Sequence, residues 1–452
     1  MKQAERANFG SRLGIILATA GSAVGLGNVW RFPTMAGDNG GAAFILIYIA
    51  CVLILGIPCM LNEFIIGRRA QANTARSYIS LANGTPWRLI GYFGVFTGLL
   101  IAGYYCVVSG WCLQYIYATT MGHLNGSPAS ISGYFDAFSQ HPWKPIICLL
   151  VFMLITHLVI VRGVQKGIER ASKLMMPLLF ILLVVIAVAA CMLSGRGQAF
   201  SFLFSPDFSK VNSDVLLGAL GQAFYSLSLG MGCLCTYASY FKRDVHLTKS
   251  AVQIVSIDSM IAILAGLMIF PAVFSVDGNV QEGTSLVFKS LPYVFNKAFA
   301  AVPWVGTIIA ILFFALLSVA ALTSLISLHE VSTAFFHEEL KISRHGGATI
   351  VTVLCSVIGI FCSLSFYNTD IQLFGMQLFD LFNFTTGQIF LPLGGFLTCL
   401  FLGWYVPSHI IRDEFTNGGT LRGRFFGIYL FLVRYVCPAC ILAIFLDQLN
   451  VI

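Results

Sequence analysis

Residues Gly14 to Gly41 read GIILATAGSAVGLGNVWRFPTMAGDNGG. A helix that crosses a membrane fills such a stretch with Leu, Ile and Val. Here Gly21, Gly25 and Gly27 interrupt the apolar run, and Asn28 and Arg31 follow directly. Glycine inside a helix costs about 1 kcal/mol relative to alanine and frees the backbone. In hydrocarbon an unpaired carbonyl is expensive, so irregular backbone persists only where protein buries it or where it lines a polar cavity. Gly21-x-x-x-Gly25 is also the small-residue spacing of tight helix contacts, and taken alone it serves packing and binding equally. The two polar side chains just beyond the glycines favour a ligand.

Only 10% of the 452 residues are charged, 58% are hydrophobic and the mean hydropathy is +0.85. Soluble domains carry roughly 25% charged residues. The chain therefore reads as an all-α polytopic membrane protein. With about 20 apolar residues needed per span, eleven spans are expected near residues 25, 55, 103, 152, 182, 227, 262, 318, 357, 390 and 436. Residues 1–452 form one domain in this reading: spans 1–5 over 11–194, spans 6–10 over 214–405, and an accessory eleventh span over 424–448. Met1 to Arg12 is short, basic and runs straight into the first span, so no cleavable signal peptide is expected.

The net charge of +7 is distributed as a topological signal, not as a nucleic-acid surface. Of the 26 lysines and arginines, nineteen fall in loops on the N-terminal side, and five (Lys144, Arg196, Lys210, Lys289 and Lys297) fall in the opposite loops. Arg31 and Arg434 lie within spans, the latter free to snorkel or pair. The positive-inside rule puts the N-terminus inside, and eleven spans put the C-terminus outside. The expected surroundings are the lipid bilayer of a bacterial cytoplasmic membrane, with no nucleic-acid partner. Most of the 13 cysteines sit in apolar spans, where cysteine acts as a small buried hydrophobe. Cys437-Pro-Ala-Cys440 has redox spacing, but its place in the last span favours packing.

A second interruption lies in the sixth span, Gly218 to Tyr240, which reads GALGQAFYSLSLGMGCLCTYASY. Ser226, Ser228, Gly230 and Gly232 break it near its middle. Matching interruptions in two five-helix halves point to an inverted-repeat transporter whose site lies at mid-bilayer. Asp258 stands amid apolar residues of the seventh span; such an acid is functional by default, although a donor on a neighbouring helix would also account for it. Thr323 and Ser324 in the eighth span can bond back to their own helix or coordinate a cation. Elsewhere, residues 68–88 are expected to form a basic inner loop, 122–144 a polar outer segment and 276–297 an outer hairpin or lid, while Gly167 and Pro177 loosen the start of the fifth span.

Enzyme motifs are incomplete. His329-Glu330 opens like the zinc motif H-E-x-x-H, but position 333 is Thr, and Gly25-x-Gly27 lacks the third glycine and the strand of a dinucleotide site. Walker A sequences and His/Cys clusters with metal spacing are absent from the sequence. What remains is a set of hard oxygen donors: Asn28, Ser226, Asp258, Thr323 and Ser324, with the carbonyls freed at the two breaks. Hard oxygens suit small hard cations, and half-helix N-termini suit a carboxylate. A cation beside a carboxylate makes an ion-coupled site.

The motifs Gly21-Ser-Ala-Val-Gly-Leu-Gly-Asn28, Trp30-Arg-Phe-Pro33, Asn39-Gly-Gly41, Gly56-Ile-Pro58, Glu63, Lys166-Gly-Ile-Glu169, Ser226-Leu-Ser-Leu-Gly230 and Thr236-Tyr-Ala-Ser-Tyr240 resemble the neurotransmitter:sodium symporter family, and within it the bacterial LeuT- and MhsT-like amino acid transporters. The resemblance runs through all eleven spans and implies the LeuT-type fold, a 5+5 inverted repeat with broken first and sixth helices. It implies one sodium site from the Ala23 carbonyl, Asn28, Ser226, Asp258 and the substrate carboxylate. A second would use the Gly21 and Val24 carbonyls with Ala320, Thr323 and Ser324. Substrate amine and carboxylate would meet backbone from Ala23 through Gly25 and Leu26 to Gly27, together with Tyr105. Ile101, Tyr225, Ser228, Met231 and Leu328 would line the side-chain pocket, with Ser324 beside it.

Departures from the family pattern sharpen the expectation. Gly25 stands where monoamine-transporting relatives have Asp, so the site expects a carboxylate on its substrate, an α-amino acid. Met231 replaces an aromatic ring and fills irregular gaps; with Gly230 and Gly232 it resembles the pattern that accepts large side chains. Asp258 stands where many relatives have Asn; its fixed charge would replace a chloride. The expected activity is sodium-coupled, chloride-independent symport of hydrophobic or aromatic L-amino acids, by a monomer or weak homodimer. The alternative is a non-transporting amino acid sensor or trafficking partner that retains the pocket. Arg31 resembles an outer gate arginine whose usual Asp partner is here Asn383, which predicts a hydrogen bond in place of an ion pair. Arg6 and Glu338 resemble an inner gate pair, Phe9 stands in place of a Trp with Ser239 and Tyr240 nearby, and Gly167 to Pro177 matches the segment where the fifth helix unwinds.

Overall fold

The first apolar run breaks where its glycines stand. In the computed structural model, which describes residues 8–276, 286–368 and 370–449, helix α1 (Arg12–Ala23) ends and α2 (Gly27–Asp38) begins three residues later at an angle of 57°. The Ser11 hydroxyl caps α1 by accepting from Gly14 N. The chain continues through α3 (Ala42–Ala70), α4 (Thr74–Ala82), α5 (Pro86–Thr120), α6 (Pro128–Ser139), α7 (Lys144–Ile160), α8 (Val164–Ala190) and α9 (Arg196–Phe204). The sixth apolar run is also split: α10 (Ser213–Ser226) and α11 (Cys233–Ala238) are parted by residues 227–232. There follow α12 (Leu247–Phe274), α13 (Leu291–Ala298), α14 (Pro303–Glu339), α15 (Arg344–Tyr367), α16 (Leu378–Tyr405), α17 (Ser408–Phe415) and α18 (Phe426–Gln448). A two-residue hairpin, β1 (Gln372–Leu373) with β2 (Met376–Gln377), is antiparallel and leads into α16.

Among the described residues, eight helices are long and apolar enough to cross a membrane, and the bent pairs α1/α2 and α6/α7 raise the number to ten. The split pair α10/α11 lies where the remaining span is expected. Large apolar side chains such as Leu154, Leu174, Ile181, Val353, Phe361 and Phe431 face outward, as lipid-facing positions do. Inward, α5 and α14 form the long axis: α14 packs on α1, α5 and α8, while α12 packs on α1 and α8. The two breaks thus meet against long continuous helices, which fix the position of chain that has lost its own winding.

Some expectations are corrected here, and others that were open are decided. The segment 68–88 is not a solvated loop but the end of α3, all of α4 and the start of α5. Arg68 is buried, because α17 folds across the end of α3 and its Glu414 takes the guanidinium Nε at 2.7 Å. Residues 122–144 contain α6. Gly167 and Pro177 lie within continuous α8, which begins with a wide turn over Val164–Glu169; Gly167 is needed where the chain passes the Val159 carbonyl. Of the expected lid, residues 277–285 lie outside the described residues, while Phe288 and Leu291 are buried and Phe288 rests against Trp111 and Tyr115. Arg434 pairs rather than snorkels, donating to the Gly403 carbonyl at 2.6 Å and to Ser408 at 3.1 Å. All 13 cysteines are free thiols, Cys437 and Cys440 included.

Arg68→Ala strips buried Glu414 of its cation at 2.7 Å and leaves it only Arg69 at 3.4 Å, a change that costs about 3 kcal/mol. Arg69→Ala removes a half-exposed pair with Asp413 at 2.7 Å, worth about 1 kcal/mol at most. Thermal unfolding of the detergent-solubilised protein should show a fall of many degrees for the first variant and little change for the second.

Candidate functional site

The first break leaves Val24 extended, with its N–H still bonded to the Ala20 carbonyl at 2.7 Å. Gly25 N then donates to Asn28 Oδ1 at 3.0 Å, so a side chain from the next turn satisfies a main-chain donor that the helix no longer serves. In the second break Ser228, Gly230 and Gly232 adopt φ of 55°, 84° and 75°, a left-handed region that glycine enters without strain. Gly230 also abuts the Leu391 carbonyl, where a Cβ would not fit. Glu63 on α3 closes this break: one oxygen accepts Gly230 N at 2.8 Å and the other Cys235 N at 3.2 Å.

Between the breaks lies an oxygen cluster. Asn28 Nδ2 donates to Asp258 Oδ1 at 2.7 Å and to Ser226 Oγ at 3.0 Å. Ser226 Oγ donates to Asp258 Oδ2 at 2.8 Å, and Tyr48 Oη to the same oxygen at 3.2 Å. Asp258 therefore draws donors from three other elements, and its helix α12 carries it to where α1/α2 and α10/α11 come apart. A second group forms one turn below. Thr323 Oγ1 and Ser324 Oγ on α14 point at the Val24 carbonyl, at 3.4 Å and 3.2 Å. Thr323 also bonds back to Ala320 O at 2.9 Å, so the back-bonding expected of a helical hydroxyl is present. Gly21 faces Thr323, at 3.4 Å from where a Cβ would stand.

Beside the oxygen cluster is a cavity of about 50 Å³ that the expected substrate residues line. The first break contributes Ala23, Gly25, Leu26 and Gly27; α5 contributes Ile101 and Tyr105; the second break contributes Tyr225, Ser226, Ser228 and Met231; α14 contributes Ser324 and Leu328. Leu26 N donates to Tyr105 Oη at 3.3 Å, leaving the phenol proton for another acceptor. At Gly25 a Cβ would stand 2.5 Å from Ser324 Oγ, so the site has no room for a protein carboxylate there. The C-terminal ends of α1 and α10, negative in their dipoles, and the positive N-terminal end of α2 converge on this space. Such an arrangement suits a cation, an ammonium and a carboxylate side by side. Ser22, Tyr104, Ser327 and Leu391 also line the cavity and were not anticipated. Ser22 adjoins Ala23, and Ser327 lies one turn beyond Ser324, so helical spacing could have found both. Leu391 arrives only through the packing of α16.

A vestibule of about 380 Å³ continues from the cavity away from the N-terminus, lined by Arg31, Tyr104, Tyr225 and Asn383 among others. Arg31 and Asn383 both border it, but the expected hydrogen bond between them is not formed. The guanidinium instead lies over the Tyr225 ring, 4.2 Å from its centre, a cation–π contact that holds it to one wall of the open space. The opposite end is shut. Phe9 N donates to Tyr240 O at 3.2 Å and its buried ring meets Tyr237 and Tyr240 edge-on. Tyr240 Oη donates to Glu330 at 2.6 Å, and Arg344 holds the same carboxylate at 2.9 Å. The Ser239 hydroxyl donates to the Thr236 carbonyl. Glu338 accepts from Asn73 N at 2.8 Å, while Arg6, its expected partner, lies outside the described residues.

Known proteins match this chain along its whole length. A model of the sodium:neurotransmitter symporter family matches residues 6–129 and 126–452. The chain belongs to that family. It is 37% identical to YhdH of Bacillus subtilis, an uncharacterized sodium-dependent transporter, over 100% of both chains. It is 33% identical to an uncharacterized sodium-dependent transporter of Haemophilus influenzae, over 98% of each. A crystal structure of MhsT in complex with L-phenylalanine superposes with a TM-score of 0.87 at 41% identity, covering 98% of this chain and 100% of that one. The symporter chain therefore has the LeuT fold and is a multi-pass membrane transporter, not an enzyme.

In this family member Glu63→Gln replaces one acceptor oxygen by an amide NH2 group facing a main-chain N–H, which strands a buried donor at a cost of about 1–3 kcal/mol. Substrate affinity should fall about tenfold or more and thermal stability should drop with it. Unchanged affinity in equilibrium binding would show that the second break holds its shape without this carboxylate.

Proposed function

We propose that the protein is a sodium-coupled symporter of hydrophobic or aromatic L-amino acids that works by alternating access and requires no chloride. The observation that carries this reading is the convergence of Asn28, Ser226 and Asp258 where two broken helices meet, beside a cavity with apolar walls. One sodium is held by the Ala23 carbonyl, Asn28, Ser226, Asp258 and the substrate's own carboxylate. The second is held by the Gly21 and Val24 carbonyls with Ala320, Thr323 and Ser324. The substrate's charged groups meet the main chain between Ala23 and Gly27 and the Tyr105 hydroxyl, and its side chain lies among Ile101, Tyr225, Met231 and Leu328. Gly25, with no space for a side chain, supports a substrate that brings its carboxylate with it. The L-phenylalanine in the related MhsT structure supports the same class.

Ion and substrate are coupled through Asn28. Its Oδ1, the atom a cation takes, holds Gly25 N in the present arrangement, so turning the amide toward an ion frees a main-chain donor in the segment that faces the substrate. Asp258 supplies a fixed negative charge beside the ion, the role a chloride otherwise fills. With the N-terminus inside, the vestibule at Arg31 and the closed end at Phe9, Tyr240 and Glu330 support an outward-facing state. Ligands shift such an equilibrium only through different affinities for its two states. In this reading α8 loosens between Gly167 and Pro177 when the inner side opens. The N-terminus is inside and the C-terminus outside a bacterial cytoplasmic membrane; the halves 11–194 and 214–405 are inverted repeats, 424–448 is accessory, and the working unit is a monomer or weak homodimer.

Uptake by proteoliposomes of a radiolabelled panel tests the proposal. Leu, Phe, Tyr or Trp should accumulate under an inward sodium gradient, equally in chloride and gluconate media. Sodium-driven uptake of only glycine or acidic amino acids would refute it. Asp258→Asn removes a charge-assisted ligand, and its apparent sodium affinity should fall about tenfold and become sensitive to chloride.

A further inference from the structure

The substrate cavity is richer in hydroxyls than a pocket for a purely apolar side chain requires. Three of its serines have already committed their protons to main-chain carbonyls: Ser228 to Ser22 O at 3.0 Å, Ser324 to Val24 O at 3.2 Å and Ser327 to Ser324 O at 2.7 Å. What these hydroxyls still offer is lone pairs. Ser22 differs from them. It is 1% exposed, it lines the same cavity, and its Oγ meets no oxygen or nitrogen partner within hydrogen-bond geometry; only the Cys233 thiol, a weak hydrogen-bonding group, is near it. Among the described residues it is the buried, unpartnered side chain that borders this cavity; Gln222, Ser332 and Trp111, also unpartnered, do not line it. A buried hydroxyl left unmatched is costly, so a position where one persists beside a binding cavity calls for a ligand atom that matches it.

The rest of the wall defines what carries that atom. Ile101, Met231, Leu328 and Leu391 give an apolar surface, and the ring of Tyr225 closes one side. A flat apolar body with one hydrogen-bond donor at its rim fits both the walls and the lone pairs. We propose that Ser22 reads the tip of the substrate side chain, and that the transporter prefers aromatic amino acids bearing a ring donor, the indole N–H of tryptophan or the phenol O–H of tyrosine, over phenylalanine. This rests on the reading of the cavity as an amino acid site. It adds a rule of selection: the apolar walls bind the ring, and the unpartnered serine ranks the rings. Phenylalanine in place of tyrosine leaves Ser22 unmatched in the complex, and a site built around a hydrogen bond rejects the analogue that lacks it.

The test is sodium-dependent equilibrium binding of labelled tryptophan to the purified full-length protein, with competition by tyrosine and phenylalanine. One buried neutral hydrogen bond is worth about tenfold in affinity, so tryptophan and tyrosine should each bind about tenfold more tightly than phenylalanine. Ser22→Ala should bring the three within about twofold of one another. Ser22→Thr, which keeps the hydroxyl, should retain the order. Equal affinities in the wild-type protein would overturn the inference whether or not the variants fold, and so would an unchanged ratio in Ser22→Ala. In both cases sodium-dependent binding would still stand, and with it the transporter reading. If none of the three amino acids binds in sodium, that reading fails and takes the inference with it.

Discussion

The structure depends on one constraint: main-chain groups released at mid-membrane must find partners other than water. At the first break the donor is Gly25 N and the partner is Asn28, one turn on. At the second the donors are Gly230 N and Cys235 N, and the partner is Glu63 from another helix. These contacts make irregular backbone tolerable at that depth. They also leave carbonyls and helix ends facing a shared space, so the cost of breaking two helices becomes the means of binding charge.

The oxygen cluster follows from this. Asp258 alone in an apolar helix would be a charge without compensation; with Asn28, Ser226 and Tyr48 donating to it, it is a buried carboxylate with a nearly complete set of hydrogen bonds. Buried polar networks are favourable only when their members are satisfied, and a cluster whose acceptors outnumber its charges is poised to take a small cation. The long helices α5 and α14 act as rigid walls: Tyr105 on one meets Leu26 N, and Thr323 and Ser324 on the other meet the Val24 carbonyl. The break between Ala23 and Gly27 is thereby fixed from two sides.

Access to the site is asymmetric for equally local reasons. Toward the N-terminal end, Phe9 is inserted among Tyr237, Tyr240 and Phe241, and Tyr240 reaches Glu330, which Arg344 also holds. At the other end Arg31 rests on Tyr225 without reaching Asn383. A neutral amide exerts no long-range pull on a guanidinium, whereas an aromatic face within reach attracts it. The side that carries paired charges and interlocked rings is shut, and the side where Arg31 has only the neutral Asn383 across the vestibule stands open.

Much of this was legible in the residues. Gly21, Gly25, Gly27 and the Ser226 to Gly232 cluster announced both breaks, because glycine and serine in a membrane span are conspicuous against a uniformly apolar background. The oxygen donors stood out for the same reason, and an 18-residue apolar run is as plain a signal for a span as sequence offers. Less legible was anything set by a neighbour remote in sequence. Arg68 read as a loop charge because the sequence does not reveal that α17 folds over it, and Leu391 in the pocket, Ser22 without a partner and Arg31 turned to Tyr225 were equally hidden. The chain alone determined which segments enter the membrane and where they lose their winding, since hydrophobicity and backbone freedom are properties of consecutive residues. Tertiary structure decided which released groups face one another and which end of the bundle is shut, because hydrogen bonds and ring contacts act over a few ångströms between residues that can be hundreds of positions apart.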